Sequence, residues 1–191
     1  MVLNNLGIAQ LLVVGLGNLP FPQTRHSVGH LIIDALAAKY GIPMISDRSL
    51  GGITGRSKVS FDDKLIDLTL FKPKPLMNIT GPAVAAAFRK TVRSPNGMVI
   101  IHDSLSHKPK FVSVKFGGSA NGHNGIRSVI SALGGEMGFP RLRIGIGRDG
   151  GDAAEYVLSK LPHEEKLYWN EEGLDVVCRE LKKIALKLPE I

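Results

Sequence analysis

The chain predicts a three-layer α/β/α domain around a central mixed, partly parallel sheet, on three observations. Its 191 residues are enough for one full hydrophobic core and too few for two ordinary domains, so residues 1–191 are read as a single domain. Short β-type apolar runs alternate with runs whose apolar residues recur at helical spacing, the pattern of a sheet with helices on both faces. One pair of β-type runs, Gly52 to Phe61 and Lys64 to Phe71, brackets Asp62-Asp63, a hairpin signal that mixes antiparallel pairing into a parallel sheet.

The elements follow in order. Leu11 to Val14 is a β-type run ending in Gly15-Leu16-Gly17-Asn18, a central strand feeding a loop. Val28, Leu31, Ile32, Ala35 and Leu36 repeat at helical spacing until Gly41-Ile42-Pro43 stops them. After the hairpin, Gly81-Pro82 opens a second helix to about Val92, with alanines packed and Arg89, Lys90 and Arg93 in water. Met98 to Ile101 is a short strand, and Phe111, Val112, Val114 and Phe116 make another. Asn124 to Leu133 is helical, and Leu142, Ile144 and Ile146 alternate as a late strand. The last helix spans about 164–188, bent or broken near Gly173. Its acids Glu164, Glu165, Glu171 and Glu172 come early and Arg179, Lys182, Lys183 and Lys187 late, as the helix dipole favours.

Composition narrows the class. No apolar run is long enough to cross a bilayer, and Met1 to Gln10 has no secretory pattern, so neither membrane insertion nor secretion is expected. The one cysteine, Cys178, forbids an internal disulfide and sits among Leu174, Val177, Leu181 and Ile184, on a buried helix face. Net charge is +7, but from Lys72 to Arg148 twelve Lys or Arg residues face two acids, a regional +10 that leaves −3 elsewhere. A bias of that kind suits a polyanion bound through phosphate; a solvated basic surface is the plainer reading.

Several familiar chemistries are excluded by their missing residues. Gly15-Leu16-Gly17-Asn18 continues as Leu19-Pro20-Phe21-Pro22, with no third glycine opening a helix, so it is not a dinucleotide fingerprint. No glycine-rich loop ends Gly-Lys-Ser or Gly-Lys-Thr, and Gly117-Gly118-Ser119 is not a nucleophile elbow. The six histidines show no compact ligand spacing except His26 and His30, which lack the flanking Glu of a zincin, so no metal or other cofactor is expected.

The positive site signal is the glycine-rich run from Gly117 to Gly125, containing Asn121, Gly122, His123 and Asn124 between a strand-like and a helix-like run. Polar residues also fall just past strand ends or at helix starts: Asn18, His26, Asn78, His102-Asp103 and Asn124. Each has an ordinary reading, the asparagines as caps or turn residues, Asp103 as a strand-end acceptor, His26 as a helix-start residue. Together they supply a base, an acid and several amides, enough for hydrolysis by activated water.

The segments Val13-Val14-Gly15-Leu16-Gly17-Asn18, Thr24-Arg25-His26, Lys72-Pro73 with Met77-Asn78-Ile79-Thr80-Gly81, His102-Asp103-Ser104-Leu105, Lys115-Phe116-Gly117-Gly118 with Gly122-His123-Asn124-Gly125, and Arg141 to Gly147 recur in order along the chain. With them the chain resembles, over nearly its full length, the bacterial-type peptidyl-tRNA hydrolases. The resemblance implies a compact, monomeric α/β/α enzyme that cleaves the ester between a peptide and the terminal ribose of tRNA without a metal. It implies His26 as general base, Asp103 as its partner, and Asn18, Asn78 and Asn124 as active-site amides. It places Met77, Phe21, Gly122 and His123 beside the substrate, and Lys115 and Arg141 on phosphate near the acceptor stem. Without it, Met77 would be read as core and either cation as a surface charge.

Departures from the family pattern are specific. Ser27 stands where an Asn usually follows the histidine, and Phe21 replaces an aromatic hydroxyl after a two-residue shortening. The loop after Asp103 reads Ser104-Leu105-Ser106-His107-Lys108-Pro109, and Ser113 replaces a frequent lysine. Such divergence resembles eukaryotic members, fungal ones among them, which act in cytoplasm or mitochondria. The competing reading is a factor on the same scaffold that binds peptidyl-tRNA without turnover.

Overall fold

The computed structural model describes residues 7–190, so part of the amino-terminal stretch read for a secretory pattern lies outside the described residues. Seven strands are described: β1 (Ala9–Gly15), β2 (Ile45–Asp47), β3 (Gly52–Phe61), β4 (Lys64–Pro73), β5 (Met98–Ser104), β6 (Val112–Phe116) and β7 (Pro140–Gly145). They form one sheet in the order β2-β3-β4-β1-β5-β7-β6. Strands β4, β1, β5 and β7 run parallel, while β3 returns on β4, β2 on β3 and β6 on β7 antiparallel. The mixed, partly parallel sheet expected from the hairpin is therefore present, with the antiparallel pairs at both margins.

Burial on both faces explains why β1 reads as a continuous apolar run rather than an alternating one. Leu11 and Val13 point into a core shared with α1 (Val28–Tyr40), α5 (His163–Asn170) and α6 (Glu172–Ala185), where Ile32, Leu36, Trp169 and Leu181 are buried. Leu12 and Val14 point the other way, into a core shared with α2 (Gly81–Thr91) and α3 (Asn124–Ala132), where Val84, Ala87, Ile126 and Val129 are buried. Helix α1 stops where expected: Gly41 takes the left-handed conformation at φ 62°, which glycine adopts without a Cβ penalty.

The terminal helix is two helices, broken at Glu171 (φ −126°, ψ −108°), close to Gly173 where a bend or break is expected. Gly173 lies inside α6 for a packing reason, since a Cβ there would sit 2.6 Å from atoms of Trp169 and Tyr168. Cys178 is only partly buried, against the rim of the first core. Strand β2 and the six-residue helix α4 (Ala153–Leu158) had no counterpart in the sequence reading, being too short to show a period.

Candidate active site

The carboxyl ends of β1 and β5 lie side by side, with Gly15 in register with Ile101, and the site grows from that edge. Beyond β1, Asn18 is held from two directions. Its backbone N–H donates to Ser27 Oγ at 2.9 Å, and its Oδ1 accepts the Met77 N–H at 2.7 Å. That acceptance occupies Oδ1 and leaves Nδ2 as the uncommitted end of the carboxamide. Ser27 Oγ in turn donates to the Phe21 carbonyl at 2.8 Å, so the serine that departs from the family pattern closes the shortened loop from inside.

His26 sits in a 3₁₀ turn, Arg25–Ser27, that is anchored rather than free. Arg25 N–H donates to the Ser159 carbonyl at 3.0 Å, its guanidinium pairs with buried Glu165 at 3.1 Å, and it lies over the Tyr156 ring. The turn delivers His26 Nδ1 to 2.8 Å from Asp103 Oδ1. Asp103, near the end of β5, is 2% exposed. A second imidazole reaches the same oxygen, with His123 Nε2 at 3.0 Å. His123 caps α3 by accepting the Ile126 N–H on Nδ1 at 3.2 Å, so its proton must be on Nε2, facing the carboxylate. Burial opposes the charge on Asp103, yet His123 first and His26 second hold its carboxyl well below the usual carboxylate range. Beneath His123 lies His102, ring centroids 4.5 Å apart, kept neutral by burial and by His123 beside it.

These groups line a cavity of about 340 Å³. The lining includes His26, Asp103, His123, Asn124, Arg141 and Arg143, with Gly122, Leu105 and Ser106 of the loops and Ala153, Ala154 and Val157 of α4. Asn124 also borders a second, more open groove with Asn78, Ile79, Arg127 and Ser128, so a ligand could pass from one to the other across Asn124. His26, Asp103 and His123 offer ligand atoms within 4.8 Å of one another, a compact set that sequence spacing hid. A cation there would have to displace the two N–H protons that already satisfy Asp103 Oδ1.

The structure thus brings together His26, Asp103, His123, Gly122 and Asn124, with Asn78 on the adjoining groove, while Asn18 is tied to Ser27, next to His26, and is not among the residues lining the cavity. Two expected positions are corrected. Met77 is 4% exposed, in the core of α2 and α3, where a Cβ on Gly125 would come 2.3 Å from its sulfur; only its backbone N–H serves the site, through Asn18. Arg141 is not a surface cation. It is 1% exposed and donates to the carbonyls of Gly117, Gly118 and Ser119 at 2.6 to 2.9 Å, holding the glycine-rich loop. Phe21 is 51% exposed on its loop and Lys115 is partly exposed on β6, neither among the residues lining the cavity. The sequence reading missed the second imidazole on Asp103 and missed Arg143, which lines the cavity. Alternation along β7, which puts residues 141 and 143 on one face, was the available signal for Arg143.

Comparison with known proteins identifies the family. The family model described as peptidyl-tRNA hydrolase matches residues 12–188. Peptidyl-tRNA hydrolases of Pseudomonas fluorescens and Pseudomonas aeruginosa are each 38% identical over 159 and 160 residues, covering 81% of this chain and 80% of theirs. A crystal structure of the peptidyl-tRNA hydrolase of Acinetobacter baumannii superposes with a TM-score of 0.75 at 30% identity, covering 95% of this chain and 96% of that one. The fold, the strand-end cavity and these matches together establish that the chain belongs to the peptidyl-tRNA hydrolase family.

Proposed function

We propose that the protein hydrolyses the ester joining a peptide, or an N-blocked aminoacyl group, to the 3′-terminal ribose of tRNA, with water activated by His26. The observation that carries this reading is the shared Asp103 oxygen. With His26 Nδ1–H donating to Asp103, the lone pair of Nε2 is left facing outward as the base, and the carboxylate stabilises the imidazolium formed when a proton is taken. His123, locked in its tautomer by the α3 backbone, keeps the carboxylate from rotating away.

The steps balance without a further reagent. His26 Nε2 removes a proton from water as the water oxygen bonds to the ester carbonyl carbon. The amides of Asn18 and Asn124 stabilise the developing oxyanion or hold the water. When the carbon–oxygen bond to ribose breaks, the His26 imidazolium returns the proton to the ribose oxygen, releasing tRNA as an alcohol and the peptide as an acid. Asn78, on the adjoining groove, positions the ribose end or a neighbouring carbonyl, and Lys115 with the basic stretch from Lys72 to Arg148 draws in the polyanion. Arg141 shapes the loop that leads to Gly122 and Asn124 and itself lines the cavity.

Incubation of the purified protein with N-acetyl-aminoacyl-tRNA tests the proposal. Release of free tRNA that survives chelation and disappears in His26→Ala is expected. Tight binding of the same RNA without turnover would select the non-catalytic factor instead.

A further inference from the structure

The turn that carries His26 is laced to a segment far along the chain. The Arg25 N–H donates to the Ser159 carbonyl at 3.0 Å, the Leu161 N–H donates to the Gln23 carbonyl at 2.9 Å, and Thr24 and Lys160 form an antiparallel bridge between them. That segment is the one leaving α4, whose Ala153, Ala154 and Val157 line the cavity. Six residues are too few for a helix to stand alone in water, and no residue of α4 is fully buried. Its placement therefore depends on side-chain anchors. Tyr156 is one: its ring packs against the first core, and its hydroxyl donates to the Ile146 carbonyl at 2.6 Å.

Arg25 joins this anchor to the turn. Its guanidinium carbon lies 4.7 Å from the centre of the Tyr156 ring, and Nη1 donates both to the Ile146 carbonyl at 3.3 Å and to Glu165 Oε1 of α5 at 3.1 Å. The Ile146 N–H in turn donates to the carbonyl of Ser104, the residue after Asp103, at 3.1 Å. One guanidinium thus connects the residue beside His26 with α4, with α5 and with the strand end that bears Asp103. A buried ion pair loses in desolvation much of what it gains in attraction, and apolar side chains would hold the same elements as firmly. This pair is also incomplete, since Arg25 Nε and Glu165 Oε2 are buried without partners. What arginine adds is direction, because a planar fork can stack on a ring and donate to a carboxylate at once.

We propose that Arg25 is a positioning residue: gripped by Tyr156 and Glu165, it couples α4 to the adjacent His26, so that a substrate seated against Ala153, Ala154 and Val157 fixes the imidazole on Asp103. Arg25 itself touches no reacting atom. This rests on the hydrolase reading above, because the geometry it secures is that of proton transfer at His26 Nε2.

Turnover of N-acetyl-aminoacyl-tRNA by Arg25 and Tyr156 variants tests the coupling. Arg25→Gln and Tyr156→Leu should each lower kcat by roughly 10- to 100-fold, the scale of a small misplacement of a reacting group, with little change in KM. Arg25→Lys, which keeps the charge opposite Glu165 but not the planar stack, should recover part of the loss. The double variant should be no slower than the slower single one, since both changes cut the same link. Because Arg25→Gln leaves Glu165 unpaired in the interior and can cost folding, Tyr156→Leu, which keeps the ion pair, carries the test where it does. The imidazole nitrogen NMR spectrum of the protein without substrate reads the same link without turnover: His26 should hold its proton on Nδ1 in the wild type and exchange between tautomers in the variants. A wild-type protein that fails to hydrolyse the ester would overturn the hydrolase reading alone. Unchanged kcat and an unchanged His26 spectrum in folded Tyr156→Leu, losses that multiply in the double variant, or losses that only match the unfolded fraction would overturn the positioning role.

Discussion

His26 Nδ1 lies 2.8 Å from Asp103 Oδ1, although 77 residues separate them in the chain. The contact fixes which imidazole nitrogen is free to accept a proton. Asp103→Asn should therefore preserve the fold and lower kcat by roughly 10³- to 10⁴-fold, because an amide can hold the ring in the wrong tautomer and cannot stabilise its charge. Single-turnover hydrolysis of N-acetyl-aminoacyl-tRNA, with a thermal melt as the folding control, measures it. Wild-type rates in the variant would remove Asp103 from the mechanism.

Asn18 presents Nδ2 because its Oδ1 is occupied by the Met77 N–H. Asn18→Asp keeps that acceptor and removes the donor, adding a negative charge where an oxyanion or water would be bound. A fall of about 10²- to 10³-fold in kcat, with a much smaller change in KM, is expected for loss of such a donor. A change confined to KM would instead make Asn18 a ground-state binding residue.

Gly29 opens α1 three residues after His26, pressed against β1 and β5. A Cβ there would lie 2.4 Å from the Leu16 carbonyl oxygen and 2.6 Å from that of Ile101. Gly29→Ala should destabilise the protein by about 1–3 kcal/mol or more through overpacking, and should lower activity by displacing the turn that carries His26. Denaturant midpoints alongside kcat would show both; unchanged values would mean the helix start is free to move.

His30 is 3% exposed, and both ring nitrogens lack hydrogen-bond partners. Burial, then the nearby Lys72 ammonium, lowers its pKa from 6.5 to about 3. The unfolded chain therefore takes up a proton that the folded one refuses, and stability should fall as pH drops from about 6.5 toward about 3. His30→Leu should flatten that part of the profile. Urea midpoints at pH 7.5 and pH 5 give the comparison, and parallel losses in both proteins would contradict it.

The periodicity of single segments was readable in advance wherever a segment was long enough to have one. The ends of α1 and α2, the Asp62-Asp63 hairpin and the site-building run from Gly117 to Gly125 follow from local chemistry: glycine at a left-handed cap, proline in a first turn, short polar residues at reversals. A break near Gly173 is legible from the glycine, but its seat at Glu171 is not, because it is the ring of Trp169 packed against Gly173 that keeps the glycine inside the helix. Strand β2 and helix α4 were invisible for want of residues.

The inventory of base, acid and amides was likewise written in the chain, as were the local rules that put each at the end of a strand or the start of a helix. Their convergence was not, because contact between residues 26, 103 and 123 depends on β1 and β5 being neighbours, and on α3 beginning beside β5. Sequence carries no distance across a sheet. The fates of Arg141 and Arg143 make the same point: two arginines two positions apart both line the cavity, yet folded loop carbonyls take up the guanidinium of one and Ser113 Oγ that of the other.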